Sequence, residues 1–211
     1  MNAVQLEIIQ QNSAGIDEVY GFWIREWSRV LQSLVGKDAT PEMFHEQSYF
    51  YVLKNKGEIV GVMSSSWQSN FDSQLGQDQY YAAFTQGPTE IKRLGINTFH
   101  KMGMIIADLK KIPRGLKLAP TIIGCGIRFT AQLPECQGVV SFPRKDTSVY
   151  RSCMQWGFRT IKEDLTMFNA PVCFVLLLPN EVTVHPEDQV QNMVDNLWFN
   201  REEKLIKNIA A

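Results

Sequence analysis

Apolar residues recur at Val19, Phe22, Trp23, Trp27, Val30, Leu31 and Leu34, the three-and-four spacing of an amphipathic helix over residues 16–34. A short apolar run at 6–9 before it reads as a strand. Runs 49–53 and 59–65 are rich in β-branched and aromatic residues and flank the polar, Gly-containing stretch Lys54-Asn55-Lys56-Gly57-Glu58, which predicts a β-hairpin. Residues 67–79 are polar and Gly-punctuated, and read as a loop. The run TEIKRLGI at 89–96 reads as another strand, while 99–109 fits a short helix or an excursion equally. Residues 120–133 form a helical pattern with Pro120 in its first turn. A strand at 138–142 follows, then a helix at 147–156 closed by Gly157, and strands at 159–167 and 171–178. Met193, Leu197, Leu205 and Ile209 mark a final amphipathic helix over 189–209. This alternation predicts one α/β sheet with helices on both faces.

Composition narrows the function without naming it. The 211 residues suit one domain with a small appendage, which places a domain at 1–180 and a helical extension packed on it at 181–211. Hydrophobic residues make up 45%, enough for a substantial core, and the formal net charge is −1 from 21 basic and 22 acidic side chains. That balance gives no electrostatic reason to expect nucleic acid or an anionic membrane surface. Cys125, Cys136, Cys153 and Cys173 contain no CxxC pair, and His45, His100 and His185 are equally scattered, so no metal site is expected. The beginning of the chain lacks the pattern of a secretory signal, and no apolar run approaches the length of a membrane span. A cytoplasmic protein is the expectation. There is no G-x-S-x-G elbow, Walker A loop or dinucleotide fingerprint.

Three local patterns carry the chemistry. The hairpin YFYVLKNKGEIVGVMSSS has an "IVG" second strand. The strand-like TEIKRLGI is followed, after an interval, by Arg114-Gly115-Leu116-Lys117-Leu118-Ala119 opening a helix. A small-residue turn of that kind lets backbone N–H groups approach a phosphate, with the helix N-terminus adding positive potential. The third pattern is DTSVYRSCMQWGFRTIKEDLTM, a helix ending in Trp156-Gly157-Phe158 and passing into a strand. Together, over roughly residues 16–179, they resemble the GNAT superfamily of acyltransferases. The run FNAPVCFVLLLP brings the chain nearest to the long-chain N-acyl amino acid synthases, relatives of the acyl-homoserine-lactone synthases.

The resemblance implies a mixed, mostly antiparallel central sheet with helices on both faces. It also implies transfer of an acyl group from acyl-ACP or acyl-CoA to the amine of an amino acid or similar small molecule. The donor-binding positions would be Arg114, Gly115, Lys117 and Ala119, with backbone N–H groups between Leu94 and Ile96 facing the thioester carbonyl. Lys117 stands where the family's turn has glycine, which leaves room for a carrier-protein donor with a single phosphodiester. Glu90 would take the amine proton. The family's tyrosine, the acid for the departing thiolate, falls at Cys153, with Tyr150 one turn earlier on the same helical face. Phe22, Trp23 and Trp27 either anchor the core or wall an acyl pocket. Against the enzyme stands a non-catalytic module that holds acyl-pantetheine or a partner protein, which Lys117 and Cys153 both favour.

Overall fold

The computed structural model describes residues 4–71, 75 and 78–206. Its strands are β1 (Val4–Gln10), β2 (Tyr49–Asn55), β3 (Glu58–Ser69), β4 (Thr98–Ala107), β5 (Val139–Ser141), β6 (Arg159–Met167), β7 (Ala170–Leu177) and β8 (Glu202–Lys204). They form one sheet in the order β6-β7-β5-β4-β3-β2-β1-β8. Neighbours run antiparallel except β4 with β5 and β1 with β8. The sheet is therefore mixed and mostly antiparallel, as expected.

One face carries α1 (Ile16–Val35) and the short α2 (Pro41–His45), whose Val19, Phe22, Trp23 and Phe44 pack on Phe50, Val52 and Val62. Further along that face α3 (Gly87–Arg93) buries Ile91 among Tyr81, Phe99, Val140 and Phe174. The opposite face carries α4 (Leu118–Thr130), flanked by α5 (Ser148–Gln155) and α6 (Asp188–Phe199). Helix α4 lies between the sheet and both neighbours. Its sequence is accordingly apolar nearly all round, and only Arg128 escapes full burial.

Three elements differ from the sequence reading. Residues 89–96 do not form a strand. Pro88 has the fixed φ of a helix start, Gly95 ends the segment at φ 79°, and the brief alternation around Ile91 is one inward-facing helical position. The undecided 99–109 stretch is the central strand β4. Its apolar run does not alternate because both faces of that strand are covered. The last helix stops at Phe199, and Glu202–Lys204 instead adds an edge strand beside β1. Lys204 is held there by the Glu7 carboxylate at 2.8 Å, so the C-terminal extension shares the sheet of the main domain. Ile209 lies outside the described residues, as do residues 72–74, 76 and 77 of the polar loop, whose beginning at 67–69 belongs to β3.

Candidate active site

The parallel partners β4 and β5 are in register as a ladder at two positions, His100 with Val139 and Lys101 with Val140. Beyond them β5 ends at Ser141, while β4 continues to Ala107 along β3. The two strands thus diverge into a fork in the middle of the sheet. Strand β4 bends at its mouth. Gly103 faces Ser64 and Ile106 faces Val62, so Met104 and Ile105 together oppose Met63. Such a bulge leaves its extra residue outside the ladder and re-aims the backbone. Met104 carries the strain, with φ 52° in the left-handed region.

Two adjoining cavities meet at the fork. The first, of about 270 Å³, has Ile123 of α4 and Cys153 of α5 on one side and Trp27 and Val30 of α1 on the other. Those helices lie on opposite faces, so this cavity passes through the sheet where β4 and β5 part. The second, of about 120 Å³, lies on the α1 face between Leu34, Met43, Met167 and Phe168. Both share Trp27, Gly103, Met104, Phe142 and Arg144. The walls are mainly apolar, with a few polar groups set among them, the composition of a small-molecule site.

Those polar groups come from segments far apart in sequence. Tyr80, in the 3-10 turn Gln79–Tyr81, lines the second cavity. Its hydroxyl is buried and lies against Ser141 and the Phe142 backbone without making a hydrogen bond of normal geometry. Burial pushes this phenol well above the usual tyrosine range. The Lys101 ammonium, almost fully buried, pairs with Asp78 at 2.7 Å and stands 5.0 Å from the centre of the Tyr80 ring. The Trp27 indole N–H is a second buried donor without a partner among the described residues. Glu46 brings an exposed carboxylate to the rim, and Arg144 is held by Asp146 through contacts of 3.0 and 2.7 Å.

The turn before α4, the helix whose Ile123 lines the first cavity, has Gly115 at φ 90° and an N-cap at Lys117 with no side-chain cap. The first bonded amide is Thr121, on the Lys117 carbonyl at 3.2 Å, while the N–H groups of Leu118 and Ala119 have no acceptor among the described residues. Free amides at a helix start are the chemistry of an anion site. The Lys117 ammonium is already engaged by Glu187, and Gln189 Nε2 donates to the Gly115 carbonyl at 3.1 Å, so the C-terminal segment covers part of this turn. Arg114 is exposed.

The other expected site residues separate into two groups. Trp27 and Cys153 line cavities, whereas Phe22 and Trp23 are core anchors, Trp23 meeting Phe44 edge-on at 5.4 Å. Tyr150 packs half-buried at the edge of the α4 core and lines neither cavity. Burial pushes the Cys153 thiol far up, which keeps it protonated. Glu90 opens no strand. It lies on α3, paired with Arg93 at 2.7 Å, and lines neither cavity. The N–H groups of Leu94, Gly95 and Ile96 are bonded within the end of that helix, to carbonyls of Glu90, Ile91 and Lys92, so they cannot face a thioester. The Asn169-Ala170-Pro171 run has a local explanation. Phe168 and Asn169 are both left-handed, as a two-residue hairpin between Met167 and Ala170 requires, and Asn169 Nδ2 donates to the Leu34 carbonyl at 3.1 Å.

A mixed sheet forked between its central parallel strands, with a helix N-terminus beside the fork, defines the GNAT fold. Solved structures agree. An agmatine N-acetyltransferase superposes with a TM-score of 0.63 at 12% identity, over 82% of this chain and 100% of its own. FeeM, an N-acyl amino acid synthase from uncultured soil microbes, gives 0.60 at 14% identity, over 84% of this chain and 91% of its own. The acyl-homoserine-lactone synthase LasI gives 0.58 at 8% identity, over 91% and 96%. At these identities the likeness establishes the fold. No family model matches the chain, and neither does any curated protein sequence.

Proposed function

We propose that this protein is an N-acyltransferase that moves an acyl group from a pantetheine thioester, acyl-ACP or acyl-CoA, to the amine of an amino acid or similar small molecule. The observation that carries this reading is the apolar cavity that passes through the sheet at the β4–β5 fork, lined by Ile123 of α4, the helix whose first amides are free. A pantetheine arm entering beside α4 brings its thioester to the mouth of the fork. The acyl chain then fills the Met-, Phe- and Ile-lined space, and the amine approaches from the second cavity. The backbone at the Met104–Ile105 bulge supplies amides for the developing oxyanion. Glu46 accepts the amine proton directly or through water. No covalent enzyme intermediate is needed, and holding both reactants together supplies much of the acceleration. Engagement of Lys117 by Glu187 leaves that ammonium neutralised, which favours the carrier-protein donor and its single phosphodiester over the pyrophosphate of CoA.

The test is mass spectrometry of the purified protein with acyl-ACP and acyl-CoA of several lengths and pooled amino acids. A new N-acyl amino acid formed from longer donors supports the proposal. A product confined to acetyl donors moves the protein to the short-chain acetyltransferases. A bound thioester with no product from any amine overturns the catalytic reading in favour of a binding module.

A further inference from the structure

The following rests on the acyl-transfer reading. We infer that the Tyr80 hydroxyl donates the proton to the departing pantetheine sulfur, so that the acid reaches the fork from the turn after β3 and not from α5. Tyr80 stands at the mouth: a Cβ added to Gly103 of β4 would lie 3.9 Å from its hydroxyl, and Ser141, the last residue of β5, and Phe142 after it are against it. That oxygen is buried and, among the described residues, makes no hydrogen bond of normal geometry, only the off-line approaches of Ser141 and Phe142. A buried hydroxyl left unsatisfied in a cavity is costly unless a ligand completes it.

The side chain is positioned by everything except its hydroxyl. Its ring meets Phe142 edge-on at 5.0 Å and Tyr81 at 5.3 Å. Its backbone N–H donates to the Asp78 carboxylate at 2.8 Å, and the same carboxylate holds the Lys101 ammonium that faces the ring. The phenol is thus fixed in place with its polar end unspent. Burial opposes a free phenolate, so proton transfer accompanies cleavage and does not precede it.

In the step, the amine nitrogen forms a bond to the carbonyl carbon and the carbon–sulfur bond breaks. Glu46 takes the first proton of the ammonium, the sulfur takes the phenolic proton, and the phenolate regains the second proton from the nitrogen as the amide forms. The products are the amide and the free pantetheine thiol, with Tyr80 restored. The phenol on α5, Tyr150, lines neither cavity.

Tyr80→Phe removes the hydroxyl and keeps the ring packing. With an acyl-pantetheine donor its single-turnover rate should fall by about 100-fold or more, the range of a lost general acid. With an acyl ester of an acidic aryl thiol, which leaves without protonation, the deficit should shrink to under about 10-fold. Equal losses with both donors, or no loss with either, overturn the inference. A second readout is independent of turnover. Calorimetric binding of octanoyl-pantetheine without amine should weaken by about 5-fold in Tyr80→Phe, because the thioester loses one hydrogen bond. Unchanged affinity also overturns the inference. If the wild-type chain acylates amines and Tyr80→Phe does so equally well, the assignment of Tyr80 alone is wrong. If the wild-type chain neither binds nor turns over any acyl thioester, the acyl-transfer reading fails and takes this inference with it.

Discussion

Acid should weaken this protein through His100, and the reason lies in where that ring is packed. His100 is fully buried on the α4 face of β4, 5.1 Å from the Trp67 ring and 6.0 Å from that of Tyr49. Its Nδ1 lies 3.4 Å from the Ser65 hydroxyl, and its Nε2 has no partner among the described residues. An imidazolium there would need two acceptors and a counter-charge. The groups around it are the neutral Tyr49, Tyr51 and Cys136, Glu135 is exposed at the surface, and Lys101 is cationic and on the other face. Burial pulls the imidazole down from 6.5 to about 4. Between those values the unfolded chain binds a proton that the native state refuses, so stability is fully present above about pH 6.5 and drains away as the pH falls towards 4. At about 1.4 kcal/mol per unit the gap corresponds to about 3 kcal/mol, a sizeable share of the stability of a typical domain. Urea unfolding of the wild type and of His100→Gln at pH 7.5, 6, 5 and 4 measures it. The wild type should lose about 3 kcal/mol more than the variant, because the salt-bridged Glu7, whose carboxyl is held below its ordinary range, contributes equally to both and chiefly below pH 4.5. Parallel curves would show that His100 is hydrated or charged in the native state. His100 also holds one of the two ladder positions joining β4 to β5, so charging it should loosen the base of the fork before the rest of the sheet.

Gly103 and Gly157 separate access to the site from stability. A methyl group at Gly103 meets nothing closer than the Tyr80 hydroxyl at 3.9 Å, so Gly103→Ala should shift stability by less than about 1 kcal/mol. Gly103→Leu should leave a cooperative thermal transition but reduce acyl-pantetheine binding by about 10-fold or more. A fully active, tightly binding Gly103→Leu would mean that the thioester does not enter by the fork. Gly157, at the end of α5, has φ 95°, and a Cβ there would lie 2.3 Å from the Glu181 carbonyl oxygen. Left-handed strain and a forced backbone shift together should make Gly157→Ala about 3 kcal/mol less stable in urea unfolding, and a loss below about 1 kcal/mol would contradict that geometry.

Wherever a signal was local, the sequence carried it. The spacing of Val19, Phe22, Trp23 and Trp27 defines α1, the Lys56–Gly57 turn defines the β2–β3 hairpin, and Gly157 ends the helix before β6, each through backbone and side-chain preferences that act within one or two turns. The motif around Arg114–Ala119 also pointed to the helix start whose amides remain free. Two errors came from segments where local pattern is ambiguous: α3 is too short to show a helical period, and β4 is covered on both faces and so shows no alternation. Those errors displaced the expected base and oxyanion donors to Glu90 and Leu94–Ile96.

What the sequence determined by itself was the class of the chain: an α/β domain with one mixed sheet, helices on both faces, and the turn that opens α4. The tertiary structure alone decided the site. The fork exists because β4 and β5 pair in register at two positions and then diverge around a bulge at Met104, a matter of pairing between strands some 40 residues apart. Tyr80 reaches that fork from a polar connection with no motif, and Trp27 lines it while Trp23, one helical turn away, is sealed in the core. Periodicity records which side of an element is buried. Whether that side meets a packed neighbour or an open cavity depends on what the rest of the chain places opposite it.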